Sequence, residues 1–450
     1  MLLADLEARV TPRLVSPDAL QAANMIGDMF AYLAAWHDGE SEALAGYAAA
    51  MAAIAPPGSE PDLASEFPVG GEAFGLAAEA LQDKIEAGDQ PDASLLRCAI
   101  ETEGAALVDE PRRVSAVRRI AAEKQALVEV AMTAERALAL VDACLGPGHE
   151  VLAVSRVAGG FSKDSFFLSV RAPQGLQEEM VIRRDLPFGP GENTVADEYG
   201  LLQRLGQLGF PVAEPLGCDR GRIVGQPAML SRRVSGSSGT APWDADPDAR
   251  QRTCFGMADA LAWLHQLEPA QGGLSAVSAD PREQLLNYVL EWRERWRRNR
   301  VHPSPTLAAG FEWLVRNLPD RIDRLSIVHG DVGFHNAIVR DGELAALLDW
   351  EFAHLGDSTE DLSYCRPVIQ ALVPWEDFLA RYRAAGGAPY REENARFFEL
   401  WRSVRNAVCC AVSWRGFVGG AYPALKMAYQ GIPLYRTFVH NIAVSLQERA

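Results

Sequence analysis

In the stretch "IVHGDVGFHNAIVRDGELAALLDWEFAHLGDSTEDL", residues 327–362, two aspartates, Asp331 and Asp349, stand on either side of an asparagine, Asn336. Phosphoryl transfer calls for this set. The transferred group and the nucleotide phosphates are anionic, so magnesium must be held by hard oxygen ligands while a separate carboxylate takes the proton of the attacking hydroxyl. Asp331 suits the base. Asn336 can turn its amide oxygen to the metal, and the apolar run "LAALLDWE" delivers Asp349 from a strand end as the main metal ligand. The plain alternative is a hairpin whose aspartates cap turns.

Two upstream patterns fit a nucleotide. "VAGGFSKDSFFL" places Gly159, Gly160 and Ser162 at a strand turn, where missing Cβ atoms and free backbone N–H groups let phosphates approach. It is not a Walker loop, and a GG pair by itself is often just a turn. In "MVIRRD" and "ADEYGLL", Arg183 on a strand and Glu198 on the helix after it form a candidate cation–carboxylate pair of the kind that holds nucleotide phosphates in phosphoryl transfer. Arginine keeps its charge and grips phosphate with two N–H groups. Alternation with Val181 selects Arg183 rather than Arg184.

"HGDxxxxN", followed by "LDWE" and "GDxxxDL", resembles the aminoglycoside phosphotransferase and choline kinase group of the protein-kinase-like fold, over about residues 150–450. The resemblance implies that His329 packs behind the catalytic loop and that Asp361 anchors the loop backbone. It leaves Glu351 as either a water-mediated metal contact or a turn residue, and gives His335 no chemical role. "GGFSKDSFFL", "MVIRRDLPFG" and "DEYGLLQRL" resemble the phosphotransferase branch associated with acyl-CoA dehydrogenases. That likeness implies a hydroxyacyl-CoA, typically the 4-hydroxy thioester, as acceptor, while the phosphoryl-transfer residues call for Mg2+ as cofactor and for ATP or GTP as donor. "LQDKIEAGDQPDASLLRCAI" is similar to a small helical domain of unknown function that accompanies such kinases.

The elements that must position these residues follow from periodicity. Residues 1–145 carry apolar positions three and four apart and predict a helical bundle ending at the "GPG" of residues 146–148. Period-two patterning over 151–157 and 165–171, then "EEMVIRRDLP", "AEPLGCDRG" and "GQPAMLSRRVSG", predicts five strands, with the helix "TVADEYGLLQRLGQLG" after the third. From Pro247 the pattern is mainly helical. The expected fold class is α+β: a two-lobe kinase-like fold with a five-stranded antiparallel small lobe (146–236) and a mainly helical large lobe (237–450), preceded by the all-α bundle (1–145).

Charge narrows the partners. Residues 1–145 hold 24 Asp and Glu against 10 Lys and Arg, so this third carries −14 of the chain's −17 and argues against nucleic acid or an anionic membrane. Residues 366–450 carry 11 basic against 6 acidic side chains, which favours an anionic acceptor over a polycationic aminoglycoside. Arg402 and Arg405, three apart on one helix face, are the candidate acceptor contacts, with "EWRERWRRNR" as a second basic run. Seven cysteines without metal-ligand spacing read as free thiols in a reducing compartment, and no apolar run is long enough to span a bilayer, so a cytoplasmic protein is expected. The expected partners are a nucleotide, a hydroxyl-bearing small molecule and at most a second copy of the chain in a homodimer. Competing readings are a kinase for an aminoglycoside, macrolide, choline-like alcohol or sugar, and a non-catalytic kinase-like scaffold. The intact trio Asp331, Asn336 and Asp349 argues against the scaffold.

Overall fold

The computed structural model of the 450-residue chain describes Gln82, Ile85 and residues 131–449 except 158, 159, 192, 241, 242 and 423. Apart from those two residues and residues 131–145, the expected N-terminal bundle lies outside the described residues. Helix α1 (Ala134–Leu145) precedes strands β1 (Glu150–Val157), β2 (Lys163–Arg171) and β3 (Gln177–Asp185), then α2 (Val195–Gln207), β4 (Pro215–Arg220) and β5 (Pro227–Arg232). The five strands form one antiparallel sheet in the order β1-β2-β3-β5-β4.

Alternation gives the sheet two different faces. Phe166, Leu168, Val170, Met180, Ile182, Ala228 and Leu230 point one way and meet Ala137, Leu140 and Val141 of α1. Helix α1, placed by its sequence at the end of the N-terminal bundle, therefore packs as a backing layer on this sheet. The opposite face presents Phe167, Val181 and Arg183, so Arg183 and Arg184 project to opposite sides. Helix α2 starts at a capping box in which Thr194 and Asp197 satisfy each other's backbone N–H groups, and it buries Val195, Glu198, Leu201, Leu202 and Leu205.

Helix α3 (Pro247–Gln266) begins after the N-cap Asp246 with proline in its first turn. Helices α4 (Pro281–Asn299) and α5 (Pro305–Arg316) follow, then β6 (Ser326–Val328), β7 (Ala337–Arg340), β8 (Glu343–Leu347) and β9 (His354–Gly356). The remaining helices are α6 (Thr359–Gln370), α7 (Trp375–Ala384), α8 (Glu392–Val418), α9 (Leu425–Tyr429) and α10 (Tyr435–Arg449). The short strands pair as two antiparallel ladders, β6 with β9 and β7 with β8. Asp341 and Gly342 both have positive φ, 55° and 75°, which makes the β7–β8 connection a tight two-residue hairpin turn.

The chain divides into two compact units. One comprises Glu129–Tyr288 and Leu318–Glu399, with the sheet, both ladders and a core of α2, α3, α6 and α7 residues such as Leu261, Leu264, Leu362 and Phe378. The other comprises Met1–Val128, Val289–Asn317 and Leu400–Ala450, so the expected large lobe of 237–450 is shared between the two. Its described core is aromatic: Trp292 meets Trp401 edge-on at 6.1 Å between ring centroids, and Trp296 stacks on Phe311 at 5.7 Å. No helix among the described residues is long and apolar enough to cross a membrane, and their six cysteines are free thiols.

If α1 is a structural layer of the sheet, Leu140→Ala, at a fully buried position, should destabilise the protein by about 2–5 kcal/mol. Urea unfolding measures this, and a loss below about 1 kcal/mol would show that α1 contributes no packing there.

Candidate active site

The loop after β6 is suspended from one buried carboxylate. Asp361 accepts hydrogen bonds from the backbone N–H groups of His329 and Gly330, each at 2.8 Å, and lies 3.1 Å from Nε2 of His265. Burial works to raise this carboxyl, but the hydrogen bond and charge of His265 outweigh it and hold Asp361 below the usual range. Gly330 has φ +82°, a conformation that favours glycine, and it turns the chain between His329 and Asp331. His329 is fully buried, with Nε2 2.9 Å from the Leu348 carbonyl oxygen and Nδ1 accepting from the Asp331 N–H at 3.3 Å. That pairing places the ring proton on Nε2. His329 thus braces the loop from behind.

Asp331 and Asn336 meet directly. The Asn336 amide donates to the Asp331 carboxylate at 2.8 Å and to its carbonyl at 3.0 Å, which turns the amide oxygen away from both. The β7–β8 hairpin then folds the intervening chain back: Ala337 pairs with Leu347, and the Leu348 N–H donates to the Asn336 carbonyl at 2.7 Å. Asp349 comes next, with φ +62°. A non-glycine residue in that region is strained by about 1–2 kcal/mol, and the strain sits where the carboxylate must turn towards Arg183. His335, beside the loop, lies 3.6 Å from the Asp331 carboxylate, whose pull raises the imidazole above its ordinary value.

Across from this loop, Arg183 of β3 bridges two carboxylates. Its guanidinium donates to Glu198 at 2.8 Å and to Asp349 at 2.5 Å. Burial opposes its charge, yet Glu198 and Asp349 more than offset that and hold it firmly protonated. Beside it is Lys163, 7% exposed, whose ammonium lies 2.6 Å from the Asn193 carbonyl, 3.0 Å from Asp185, 3.5 Å from Glu351 and 3.8 Å from Glu198. Four carboxylates therefore face two cations. Burial, then the charge of Asp349, works to raise Glu351, against the pull of Lys163. Burial also raises Glu198, against Arg183 and Lys163.

Between these parts lies a cleft of about 330 Å³, bounded by Phe167, Val181, Met229, Ile338 and Leu348, with Arg183 and Asp349 on its lining. Arg233 sits 4.0 Å above the Phe167 ring. A larger hollow of about 640 Å³, ringed by Phe210, Phe255, Trp263 and Arg381, holds none of the residues singled out by sequence.

The structure brings Asp331, Asn336, Asp349, Arg183, Glu198, His329 and Asp361 into one unit. Gly160 turns with φ +76° ahead of β2, and Ser162 is buried beside Glu351; Gly159 lies outside the described residues. Glu351 is buried against Lys163. Arg402 and Arg405 belong to the other unit, where Arg405 is 1% exposed. The residue missed by sequence is Lys163. Its one signal was register, since it opens the strand opposite Asp185. No group of three or more His, Cys, Asp and Glu placed to hold a metal occurs among the described residues. A nucleotide-bound magnesium needs only one or two protein oxygens besides phosphates and water, and Asp349 with the Asn336 amide oxygen fits that donor set.

Asp361→Asn puts an amide where two N–H groups need acceptors, so at least one hydrogen bond is lost, at a cost of about 1–3 kcal/mol. Urea unfolding together with amide exchange at Gly330 should show a less stable, faster-exchanging loop. Unchanged protection at Gly330 would show that the loop does not hang from this carboxylate.

Comparison with known proteins agrees with this arrangement. Residues 153–404 match the model of the phosphotransferase enzyme family. The rat acyl-CoA dehydrogenase family member 11 is 28% identical over 228 residues, covering 49% of this chain and 28% of the relative. A homoserine kinase from Beijerinckia indica is 26% identical over 228 residues, covering 48% of this chain and 63% of that enzyme. The chain thus matches little more than a quarter of the length of the dehydrogenase relative. A Ralstonia eutropha JMP134 protein, solved as a candidate aminoglycoside phosphotransferase, superimposes with a TM-score of 0.52 at 17% identity, over 70% of this chain and 98% of that one. The fold is therefore protein-kinase-like, with a five-stranded antiparallel sheet and a helical part. With more than half its residues matched by the family model, the chain belongs to the phosphotransferase enzyme family.

Proposed function

We propose that this chain is an ATP- and magnesium-dependent kinase that transfers the γ-phosphoryl group to the hydroxyl of an anionic small molecule, with a 4-hydroxyacyl-CoA as the preferred acceptor. The observation that carries the reading is the two bonded pairs Asp331–Asn336 and Arg183–Asp349, the second of them on the cleft lining. Asp331 accepts the proton of the attacking hydroxyl, and the Asn336 amide fixes the carboxylate in the orientation that receives it. Asp349 and the Asn336 amide oxygen would hold magnesium, which supplies neutralisation of the phosphate charge. Arg183, turned by Glu198, grips the phosphates, and the apolar walls Phe167, Val181, Met229, Ile338 and Leu348 suit a flat purine.

Two observations favour this acceptor. The relatives matched include acyl-CoA dehydrogenase family members 11 and 10, the latter from mouse at 27% identity. Residues 366–450 carry five more basic than acidic side chains, which suits the phosphates of a CoA thioester. The likeness to homoserine kinase keeps a small hydroxy amino acid as the second reading. A panel of 4-hydroxyacyl-CoA, homoserine, an aminoglycoside, a macrolide, choline and a sugar, assayed for magnesium-dependent ADP release, separates these. Stimulation by homoserine alone would replace the thioester, and stimulation by none would remove the assignment of a hydroxyl acceptor from this set.

Asp331→Asn should lower turnover by about 10²-fold or more while leaving nucleotide binding and the melting temperature unchanged. Near-native turnover would remove Asp331 as the base. Calorimetric titration with ATP should show that Asp349→Ala abolishes the magnesium dependence of binding and that Asn336→Ala weakens it less. A magnesium response preserved in Asp349→Ala would place the metal elsewhere.

A further inference from the structure

Lys163 is a buried cation that the proposed reaction does not use. Four segments converge on it. It opens β2 directly opposite Asp185 at the end of β3, and Asp185 also accepts the N–H of Val195 at the start of α2, 3.2 Å away. Asn193, whose carbonyl oxygen receives the Lys163 ammonium, donates its own N–H to the Glu351 carbonyl at 3.1 Å. The chain at Gly191 closes over the same spot: a Cβ there would come within 2.3 Å of the Glu351 carboxylate.

The charges around this lysine are unevenly served. Glu198 Oε2 receives Arg183, but Glu198 Oε1 and Glu351 Oε2 are buried and accept no hydrogen bond among the described residues. What faces them is the Lys163 ammonium, at 3.8 and 3.5 Å. A buried carboxylate oxygen without counter-charge is costly, and Arg183, which already bonds Glu198, is a second cation on which the charge of Glu351 acts. Without Lys163, both oxygens would draw on the Arg183 guanidinium.

We propose that Lys163 is a positioning residue for the phosphate clamp: by neutralising Asp185, Glu351 and the second oxygen of Glu198, it leaves the guanidinium of Arg183 available to the nucleotide. The inference rests on the functional reading above. When phosphate takes the place of Asp349 on Arg183, Glu198 must keep its grip on the guanidinium without pulling it inward. The Lys163 ammonium, 3.8 Å from the other Glu198 oxygen, balances that pull by charge without a hydrogen bond. Lys163 touches no substrate in this role and acts through Glu198 and Arg183.

The test is equilibrium titration of the full chain with Mg·ATP, alongside thermal melting. Wild-type binding that depends on magnesium establishes the site; its absence would overturn the kinase reading itself and is scored before any variant is compared. Given wild-type binding, Lys163→Met should weaken nucleotide affinity about tenfold or more. Lys163→Arg should recover most of that loss. The double variant Lys163→Met with Glu351→Gln, which replaces one of the two carboxyl groups left without the lysine beside it, should bind better than Lys163→Met alone. A purely structural lysine would lower the melting temperature without this recovery of affinity. Unchanged affinity in Lys163→Met, or a double variant that binds no better than the single, overturns the proposal. If Lys163→Met does not fold, the comparison is made between Lys163→Gln/Glu351→Gln and Glu351→Gln, where equal affinities overturn it.

Discussion

Arg183 is held between Glu198 at 2.8 Å and Asp349 at 2.5 Å, and this bridge joins parts of the chain that lie far apart in sequence. Glu198 comes from a helix, Arg183 from the middle strand of a sheet, and Asp349 from the turn after a hairpin 166 residues further on. A charged group with only 18% of its side chain exposed is tolerated because both ends of its fork are satisfied. The arrangement is one of constraint more than of net stabilisation. Removing either carboxylate would leave a buried guanidinium looking for a partner.

Around that bridge the backbone is arranged so that each acidic group is aimed by a different device. Asp331 is aimed by a loop whose N–H groups hang from Asp361, and it is kept from rotating by the Asn336 amide. Asp349 is aimed by a left-handed backbone at the hairpin exit. Glu198 is aimed by a helix whose first turn is fixed by the Thr194–Asp197 box. Precision at such a site comes from rigid supports behind each side chain, because small misplacement costs reactivity steeply. The buried histidines belong to those supports: His265 reaches Asp361 and the Tyr382 hydroxyl, at 3.1 and 2.8 Å, and ties α3 and α7 to the loop.

The cluster also shows how burial and charge compete. Four carboxylates, Asp185, Glu198, Asp349 and Glu351, share two cations, and the excess of negative charge adds to burial in raising Glu351. A site poised in this way gains most from an incoming positive charge. The same excess explains why Lys163 can stay charged at 7% exposure: burial works against it, and Glu351, Glu198 and Asp185 outweigh burial.

Read alone, the sequence determined the identity and order of the chemistry-bearing residues and the periodicity of the elements that carry them. Alternation in "MVIRRD" separated Arg183 from Arg184, because successive strand side chains must point to opposite faces, and the two arginines do so. The spacing of Asp331, Asn336 and Asp349 was legible because a hairpin of fixed length returns the chain to its start. Other features were decided only in three dimensions. That residues 134–145 back the sheet depends on which apolar stripe finds which face, and a helix pattern alone does not say what it will cover. That the stretch 237–450 divides between two units depends on which helices pack together far along the chain. Lys163 shows the limit most clearly: one lysine after a glycine turn has the same local signature whether it is solvated or buried. Its surroundings are made by Asp185, Asn193, Glu198 and Glu351, which converge on it only once sheet, helix and hairpin have folded together.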